Sequence, residues 1–394
     1  MIHQHFALVP SQTVLENVMV GQEEQRAGFL RMAEARARLL KLEERFGLDV
    51  DPDAHVWSLS VGEQQRVEIL KALYREPRVL IMDEPTAVLT PPEVEDLFKM
   101  LRTFAAAGNA VVFISHKLNE VMDISDRVVV LRNGEVAAEA VTRETTRDKL
   151  AELMVGRKLV AQLERQDWPA AEPILEIAGL SARNDKNLTA FEDINLVVHS
   201  GEIVGVAGVS GNGQRELAEV LFGTRRPGAG SMKLAGVSLR PGRPRAALDA
   251  GMARIPEDRM TTGLLTELSV EDNLILENHA GPEFQRHGLL DHRKIHRHCD
   301  RLIDEYRIKT TDRDMPARCL SGGNAQKVIL ARELSFRPGL ILAAQPTRGL
   351  DVGATEDIHR KLLAERERGA AILLISEDLD EIFALSDRIV VMYE

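Results

Sequence analysis

The sequence predicts an α/β fold that is built twice along the chain, with a mostly parallel sheet at the core of each copy. Three observations lead to this prediction: the length of the chain, short segments that recur at one spacing, and apolar runs that alternate with amphipathic stretches. The chain has 394 residues, of which 44% are hydrophobic and 28% are charged. It is longer than one ordinary domain, and its composition provides enough apolar material for packed cores.

The recurring segments identify the two copies, because each one returns 261 positions later (321 − 60, 346 − 85 and 387 − 126). The pairs are Leu59-Ser60-Val61-Gly62 with Leu320-Ser321-Gly322-Gly323, Asp83-Glu84-Pro85-Thr86 with Ala344-Gln345-Pro346-Thr347, and Ser125-Asp126-Arg127 with Ser386-Asp387-Arg388. Since one spacing holds across three segments, the elements between them are expected to match in number and length.

Apolar runs rich in β-branched residues predict the strands of both copies. They lie at residues 79–82, 111–114 and 128–131, and again at 340–342, 372–375 and 389–392. Amphipathic stretches separate them, which is typical of buried, mostly parallel strands connected by helices. A charged helical segment at 33–44 has its counterpart near 293–307.

The domain boundary is predicted where this periodicity is lost. The stretch before Pro173 is polar and contains Pro169, as expected of a linker. We therefore expect a first domain at 1–160, a linker at 161–173 and a second domain at 174–394.

Charge and cysteine content exclude several classes of protein. The formal net charge is −11, the wrong sign for a protein whose main task is to neutralise phosphate backbones, so nucleic acid is not expected as a partner. Cys299 and Cys319 are too few for a disulfide framework, which favours a reducing compartment. No apolar run reaches the 18 or so residues of a membrane-spanning helix.

Two carboxylates follow the first predicted strand of the first copy. Asp83 and Glu84 come directly after the run 79–82, and an open α/β sheet presents its functional groups at the carboxyl ends of its strands. Asp83 is a candidate Mg²⁺ ligand, and Glu84 is a candidate general base that polarises an attacking water. His116, which closes the next strand, is a candidate donor to a phosphate.

The recurring Ser-x-Gly segments are predicted to begin helices. Ser60 and Glu63 have the spacing of a capping box. In the second copy the segment reads Ser321-Gly322-Gly323-Asn324, and glycines at a helix N-terminus allow backbone N–H groups to approach an anion. A phosphate is the expected ligand there.

A glycine-rich loop follows the apolar run 203–206 in the second copy. Its residues 208–215 fit the frame Gly-x-x-x-x-Gly-Lys-[Ser/Thr], whose backbone cradles phosphates, with Gly208 and Gly213 at the two glycine positions. Gly211 and Asn212 lie between them and are candidate phosphate-binding residues as well. Gln214 stands where that frame has Lys, and Arg215 stands where it has the hydroxyl that binds Mg²⁺.

Together these residues resemble a known family. They are similar to the series of motifs in ABC ATPase domains, which are P-loop NTPases. In chain order, these are the Q-loop (Gln4), the signature (59–65), the Walker B segment (79–85) and the switch histidine (Ser115-His116). The tandem form, and the segment 343–353 of the second copy, resemble the fused ATP-binding subunits of bacterial importers of simple sugars and nucleosides, the nucleoside type above all.

The resemblance implies two composite sites for ATP and Mg²⁺, each formed by one copy's phosphate loop and the other copy's signature. The hydrolytic site would combine Gln4, Asp83, Glu84 and His116 with Ser321, Gly322, Gly323 and Asn324, Gln4 serving both catalysis and the metal. The other would combine residues 208–215 with Ser60, Val61, Gly62 and Glu63.

The second copy is altered at five roles. Besides Gln214 and Arg215, three further positions differ, since Ala344, Gln345 and Glu377 replace the metal-binding Asp, the catalytic Glu and the switch His. Loss of the Lys alone removes a charge-assisted contact worth about 1.5–3 kcal/mol, or one to two decades in affinity. We expect this loop not to hydrolyse ATP and to bind it weakly or not at all.

The resemblance also implies partners and a location. The subunit would lie peripherally at the cytoplasmic face of the bacterial membrane, where its helical segments contact an integral-membrane permease, and an extracytoplasmic substrate-binding protein would act indirectly. The first copy's phosphate loop and the end of the second copy are expected to fall outside 1–394. The full-length protein is therefore expected to be an ATPase that couples hydrolysis to import, and this sequence a fragment that is inactive by itself.

Three alternatives stay open at this point. The chain could serve a pentose or hexose importer of the same architecture, be a soluble twin-ATPase factor acting on ribosomes or nucleic acid, or be an inactive remnant. The short linker, the altered second site and the net charge of −11 argue against the soluble factor. The intact Asp83, Glu84 and His116 argue against the remnant.

Overall fold

The computed structural model describes residues 1–3, 6–21, 25, 26, 29–86, 89–132, 134–156, 171–208, 211–286 and 288–393. The chain forms two compact units, Met1–Leu159 and Val160–Glu394. Within the described residues, no helix is both long enough and apolar enough to cross a membrane.

The first unit alternates helices and strands. Its helices are α1 (Val14–Met19), α2 (Met32–Phe46), α3 (Val61–Leu73), α4 (Pro91–Ala106), α5 (Leu118–Ile124) and α6 (Arg147–Val155). Its strands are β1 (Gln25–Arg26), β2 (Phe29–Leu30), β3 (Val79–Asp83), β4 (Ala110–Ile114), β5 (Arg127–Arg132) and β6 (Glu135–Val141).

The parallel pair β3 and β4 positions the carboxylates of this unit. Val79 pairs with Ala110 and Asp83 with Ile114. Ile2 extends the pair on the other side of β3, since its N–H donates to Ile81 O (2.8 Å) and its carbonyl accepts from Asp83 N (3.1 Å). Ile2 is fully buried, so the backbone around Asp83 is held from both sides.

The predicted run 128–131 is a strand, but the expectation that it is buried and parallel is wrong for the first unit. β5 pairs with β6 in an antiparallel hairpin, and Val129 and Leu131 are exposed. The reason is local: Gly134, with φ +82°, lies in the short connection that brings β6 back alongside β5.

The second unit contains the larger set of elements. Its helices are α7 (Gln214–Phe222), α8 (Pro244–Asp249), α9 (Val270–Ile275), α10 (His292–Glu305), α11 (Gly322–Leu334), α12 (Val352–Glu367) and α13 (Leu379–Leu385). Its strands are β7 (Pro173–Arg183), β8 (Thr189–His199), β9 (Ile203–Ala207), β10 (Ala229–Leu234), β11 (Val237–Ser238), β12 (Met252–Ile255), β13 (Gln285–Arg286), β14 (Leu289–Leu290), β15 (Leu340–Ala344), β16 (Ala371–Ile375) and β17 (Arg388–Val391).

A parallel sheet lies at the core of this unit, in the order β12, β15, β16, β9, β17. Every residue of β9, β15 and β16 is buried, as the continuous apolar runs predict. The α/β fold class is therefore confirmed. The runs 111–114 and 389–392 form the parallel strands β4 and β17 as expected, but the expectation that they are buried is wrong, since Val112, Ile114, Ile389 and Val391 are exposed. A second, antiparallel sheet in the order β11, β10, β7, β8 was not among the predicted elements.

The helical segments also correspond between the units. The predicted helices at 33–44 and 293–307 are confirmed as α2 and α10. The ends of these two helices make equivalent hydrogen bonds, Leu48 N to Glu43 O and Ile308 N to Ile303 O, so this part of the repeat has a spacing of 260 (308 − 48).

Further upstream the spacing between equivalent residues is shorter. Leu15 N donates to Pro52 O as Glu271 N donates to Arg313 O, which gives a spacing of 256 (271 − 15) for the donors. The spacing of 261 thus holds only from the turn before α3 onward.

Candidate functional site

Asp83 and Glu84 lie at the carboxyl end of β3, where the chain turns sharply away from the sheet. Glu84 has a left-handed backbone with φ +46°, which is rare for a residue with a side chain. Its N–H donates to Ile114 O (2.9 Å), so the residue after β3 stays attached to the end of β4. This kink gives Glu84 a side-chain direction that a regular strand would not provide.

His116 contacts Glu84 directly. His116 Nδ1 lies 2.7 Å from Glu84 Oε1, and both side chains are about a quarter exposed (25% and 24%). The residues assigned as switch histidine and general base are therefore brought together. A contact of His116 with a phosphate stays a prediction, as do the catalytic roles of both side chains.

A second hydrogen-bonded group holds the turn that follows Glu84. The buried Thr86 donates its hydroxyl to Glu120 Oε2 (2.6 Å), and Lys117 Nζ donates to Thr86 O (3.1 Å). Lys117 also pairs with Glu120 (3.2 Å). Since His116 immediately precedes Lys117, these bonds fix both partners of the Glu84–His116 contact relative to each other.

The helix that begins after Ser60 has the predicted capping box. Glu63 N donates to Ser60 Oγ (3.3 Å), and Ser60 N donates to Glu63 Oε2 (2.8 Å). Hydrogen bonds from Ser60 hold the pKa of Glu63 below its ordinary value. A Cβ on Gly62 would lie 2.1 Å from Glu93 Oε1, so a larger residue there would displace that carboxylate.

The corresponding start of α11 is organised differently. The hydroxyl of Ser321 makes no capping hydrogen bond to a described backbone N–H of the helix; instead it accepts from Asn324 Nδ2 (2.9 Å), and Lys309 N donates to Asn324 Oδ1 (2.8 Å). The guanidinium of Arg259 lies beside Gly322, 3.0 Å from the place of a Cβ. Burial lowers the pKa of Arg259. The N-terminus of α11 therefore carries a positive charge close to its backbone N–H groups.

The glycine loop of the second unit joins β9 to α7. Gly211 and Gly213 have φ of +98° and +90°, conformations that favour glycine. A Cβ on Gly213 would lie 2.3 Å from Ala190 O, and one on Gly208 would lie 2.7 Å from Met392 O. Asn212 Nδ2 donates to that same Met392 oxygen (3.3 Å). At its described residues the loop thus depends on glycine, and its role as a phosphate cradle stays a prediction.

Arg215, at the position of the expected hydroxyl, is directed toward acidic neighbours. Its Nε donates to Glu219 Oε1 (2.9 Å), and its guanidinium lies 3.6 Å from Asp185. The hydrogen bond to Glu219 raises the pKa of Arg215, which therefore stays charged. A permanent cation occupies the place where the motif requires a Mg²⁺ ligand.

One cleft brings together all five altered positions of the second unit. The described residues that line it are Gly211, Gln214, Arg215, Glu257, Ala344, Gln345, Ile375, Ser376 and Glu377. The changes recognised separately in the sequence therefore concern a single site. A methyl group at 344 and a guanidinium at 215 do not match the oxygen ligands that Mg²⁺ prefers.

The backbone of this cleft repeats that of the first unit. Gln345 has φ +48°, and its N–H donates to Ile375 O (2.8 Å), as Glu84 does to Ile114. Its side-chain Oε1 accepts from the backbone N–H of Glu377 (3.3 Å). The buried Thr347 likewise donates to Glu381 (2.8 Å). The two units differ in side-chain chemistry at this point and agree in backbone geometry.

Glu257 is a cleft residue that sequence reasoning missed. It follows Ile255 at the end of β12, as Gln4 follows Ile2, and Ile2 and Ile255 pair with the corresponding residues Met82 and Ala343. The sequence signal for Glu257 is that Ile-x-Glu in the second copy corresponds to Ile-x-Gln in the first. It is hidden because these segments are not 261 positions apart, as the three recurring segments are. Glu257 forms an ion pair with Arg348. Gln4 itself lies outside the described residues.

Comparison with protein families gives a match in both halves of the chain. The profile of the ABC transporter family matches residues 1–87 and 191–348. The chain is 42% identical to the glucose import ATP-binding protein TsgD13 of Haloferax volcanii, covering all of this chain and 77% of that protein. It is 41% identical to the nucleoside import ATP-binding protein NupA of Lactococcus lactis, covering all of this chain and 78% of that protein.

A solved structure resembles the whole chain in fold. It is a chain from the complex of the archaeal ribosomal stalk protein aP1 with the archaeal ribosome recycling factor aABCE1. The TM-score is 0.63 at 20% identity, over 99% of this chain and 71% of that one. At this identity the likeness concerns the fold alone.

Proposed function

We propose, from the premise that this chain belongs to the ABC transporter family, that it is the ATP-binding and ATP-hydrolysing subunit of an importer of nucleosides or simple sugars. The family membership rests on the matched profile and on relatives about 40% identical over the whole chain. The observation that carries the proposal is the contact of Glu84 with His116 beside Asp83, at the end of a parallel strand.

In this proposal Glu84 takes a proton from the water that attacks the terminal phosphate. The left-handed kink at Glu84 directs its carboxylate, and His116, 2.7 Å away, keeps it in one orientation. A positioned base of this kind contributes about 10²- to 10⁴-fold to the rate. His116 acts here as a positioning residue for Glu84, in addition to its predicted reach toward phosphate.

Asp83 is the proposed holder of Mg²⁺, together with Gln4. The fit is chemical: a carboxylate at the end of β3, fixed by the hydrogen bond from its own N–H to Ile2 O, offers the oxygen donors that Mg²⁺ prefers. When bound, Mg²⁺ neutralises charge that develops on the phosphates. The start of α11, with Ser321, Gly322, Gly323 and Asn324, is the proposed signature segment of the same reaction, and its pairing with the first unit stays a prediction.

The cleft of the second unit is proposed to be non-hydrolytic. Gln345 is an amide that cannot act as a base, and neither Ala344 nor Arg215 offers a ligand to Mg²⁺. Binding of nucleotide through Gly208, Gly211, Asn212, Gly213 and Gln214 is expected to be weak. Ser60 and Gly62 are the proposed signature residues for this second site.

The relatives' names suggest the setting of this activity, namely import of glucose in one and of nucleosides in the other. We extend this to an integral-membrane permease as partner, an extracytoplasmic binding protein acting through that permease, and a peripheral location at the cytoplasmic face of the membrane.

The test is purification of the affinity-tagged chain from cell membranes, followed by uptake of labelled nucleosides and of labelled sugars. We expect a permease to co-purify, and we expect Glu84→Gln to abolish uptake of one of the two substrate classes. The matched change Glu377→Gln should leave uptake intact. Isolation without a permease, or unchanged uptake of both classes in the Glu84→Gln cells, would refute the proposal.

A further inference from the structure

Two histidines and a glutamate converge on the helices α9 and α10, and none of them lines the cleft. His292 and His296 lie one turn apart on α10, so both project from the same face of the helix. Glu271 belongs to α9. One ligand atom of each of these three side chains lies within 4.8 Å of the other two. His296 Nδ1 is 2.7 Å from Glu271 Oε2, and the two imidazole rings are 6.0 Å apart.

We propose that Glu271, His292 and His296 form a binding site for a divalent transition-metal ion, with Zn²⁺ as the ion that matches best. Two imidazoles and one carboxylate are a known ligand set for Zn²⁺ sites that have three protein ligands and a water molecule at the fourth position. Bonds of about 2.0–2.1 Å place tetrahedral ligands roughly 3.4 Å apart. A pair of ligand atoms at the limit of 4.8 Å must therefore close by about 1.4 Å, whereas His296 Nδ1 and Glu271 Oε2, at 2.7 Å, must open slightly. His292 can provide this movement, since it is exposed at the first turn of α10.

The burial of the ligands favours a bound ion. The side chain of Glu271 is 10% exposed and that of His296 is 38% exposed. The carboxylate is therefore held at the base of the site, while the imidazoles face the solvent from which an ion enters. The backbone N–H of Glu271 donates to Arg313 O (3.0 Å), which fixes the first turn of α9 beneath the histidines.

The neighbouring charges leave one carboxylate oxygen for the ion. Arg313 Nε lies 3.3 Å from Glu271 Oε2, and its Nη1 donates to Asp300 (2.9 Å), so Asp300 balances much of that positive charge. A carboxylate can accept at two oxygens. Cys299 is nearby and fully buried, and its thiol donates to the backbone carbonyl of Glu271 (3.9 Å), so it is already directed at the backbone of α9.

The first unit shows that these ligands are not needed to build the helix pair. Its α1 and α2 correspond to α9 and α10 through equivalent backbone hydrogen bonds. At the three corresponding positions it has Leu15, Met32 and Arg36. A salt bridge between His296 and Glu271 alone would not require His292 at the facing position, whereas a metal site uses all three.

The experiment is a titration of the full chain with Zn²⁺ and with Co²⁺ as a spectroscopic probe. A Cys319→Ser background removes the exposed thiol as a competing ligand. We expect one ion per chain, d–d absorption bands of Co²⁺ in a nitrogen and oxygen environment, and a rise of the melting temperature with Zn²⁺. His292→Ala should weaken binding by at least about 10- to 100-fold, the loss that removal of even an outer-shell partner causes.

Two further variants keep the test decisive. His296→Gln should weaken binding in the same way, so the result does not rest on one variant that is poorly folded. His279→Ala, which changes an exposed histidine just after α9, should bind as the parent does and show the same Zn²⁺-dependent rise in melting temperature. No saturable binding, or binding that is unchanged in both His292→Ala and His296→Gln, would overturn the assignment.

Discussion

Glu84 Oε1 lies 2.7 Å from His116 Nδ1 at the end of the first unit's parallel strands. The residues 261 positions later also meet, but there the side-chain oxygen of Gln345 accepts from the backbone N–H of Glu377 (3.3 Å). One pair can exchange a proton with a bound water, and the other is an amide held by a backbone donor. The chemistry of hydrolysis is thus expected on one side of the repeat only.

Replacing Glu84 by Gln is expected to lower the rate of ATP hydrolysis by at least about 100-fold, since it removes the proposed base and leaves the shape intact. The measurement is phosphate release by the transporter complex isolated from cells. The matched variant Gln345→Ala should leave the rate unchanged. Equal losses in the two variants would mean that both clefts take part in hydrolysis, which contradicts a single hydrolytic centre at Glu84.

Replacing Gln214 by Lys is expected to tighten ATP binding at the second unit's cleft by roughly 10- to 100-fold, because a charged donor then meets the phosphates. Equilibrium dialysis with EDTA present measures this binding without a contribution from Mg²⁺. Ser238→Lys adds the same charge at an exposed position of β11 and should have no effect. If the two lysine variants bind alike, the glycine loop is not a phosphate cradle.

Replacing Gly213 by Ala should destabilise the second unit more than replacing Gly211 does. Both residues have positive φ, which costs an alanine about 1–2 kcal/mol. At Gly213 the new Cβ would also lie 2.3 Å from Ala190 O, which adds about 1–3 kcal/mol, whereas a Cβ on Gly211 would meet no atom of the described residues beyond its chain neighbours within 4 Å. Urea unfolding of the two variants measures the difference. If the two variants lose equal free energy of unfolding, the close approach of Gly213 to Ala190 is contradicted.

Replacing Glu43 by Gln is expected to stabilise the first unit at neutral pH by about 1 kcal/mol, since it removes a buried carboxylate whose Oε1 has no hydrogen-bond partner among the described residues. Burial, and then Asp49 and Asp51, raise the pKa of Glu43. A raised pKa means that the folded state prefers the protonated form. In the parent, the contribution of Glu43 to stability is therefore fully present below pH 4.5, the ordinary pKa of this group. It is lost as the pH rises through the higher pKa that Glu43 has in the folded state.

The pH dependence of urea unfolding checks this sign. Glu43→Gln should remove part of the decline in stability above pH 4.5, while the exposed neighbour Glu44→Gln should retain the parent's profile. Two outcomes would contradict this sign. Either the Glu43→Gln variant loses a rise, and not a decline, in stability above pH 4.5, or the Glu43→Gln and Glu44→Gln variants have the same pH profile of stability.

Much of the architecture follows from the sequence, because buried parallel strands produce continuous apolar runs. The run 372–375 predicts β16, in which every residue is buried. The run 128–131 has a similar composition, yet it forms a largely exposed hairpin strand, since the turn at Gly134 brings β6 back as its partner. Composition therefore predicts a strand better than it predicts that strand's neighbours.

The candidate site was predictable where a motif lies on one continuous segment. Ser60 and Glu63 are three residues apart, and their capping box is confirmed. Glu257 was missed, because only the pairing of β12 with β15 brings it beside Gln345. The approach of His296 to Glu271 joins two helices 25 positions apart and likewise depends on packing. Distances between elements come from tertiary structure, and short-range spacing does not contain them.

The left-handed residue that ends both strands has a consequence for protein engineering. With φ of +46° at Glu84 and +48° at Gln345, the second unit retains the backbone shape of a hydrolytic centre although its reactive groups differ. Installing activity there would need new side chains on an existing template, and no rebuilding of the turn. The second unit's cleft, which we propose to be non-hydrolytic, is therefore a scaffold whose turn already has the shape that restored catalytic groups would need.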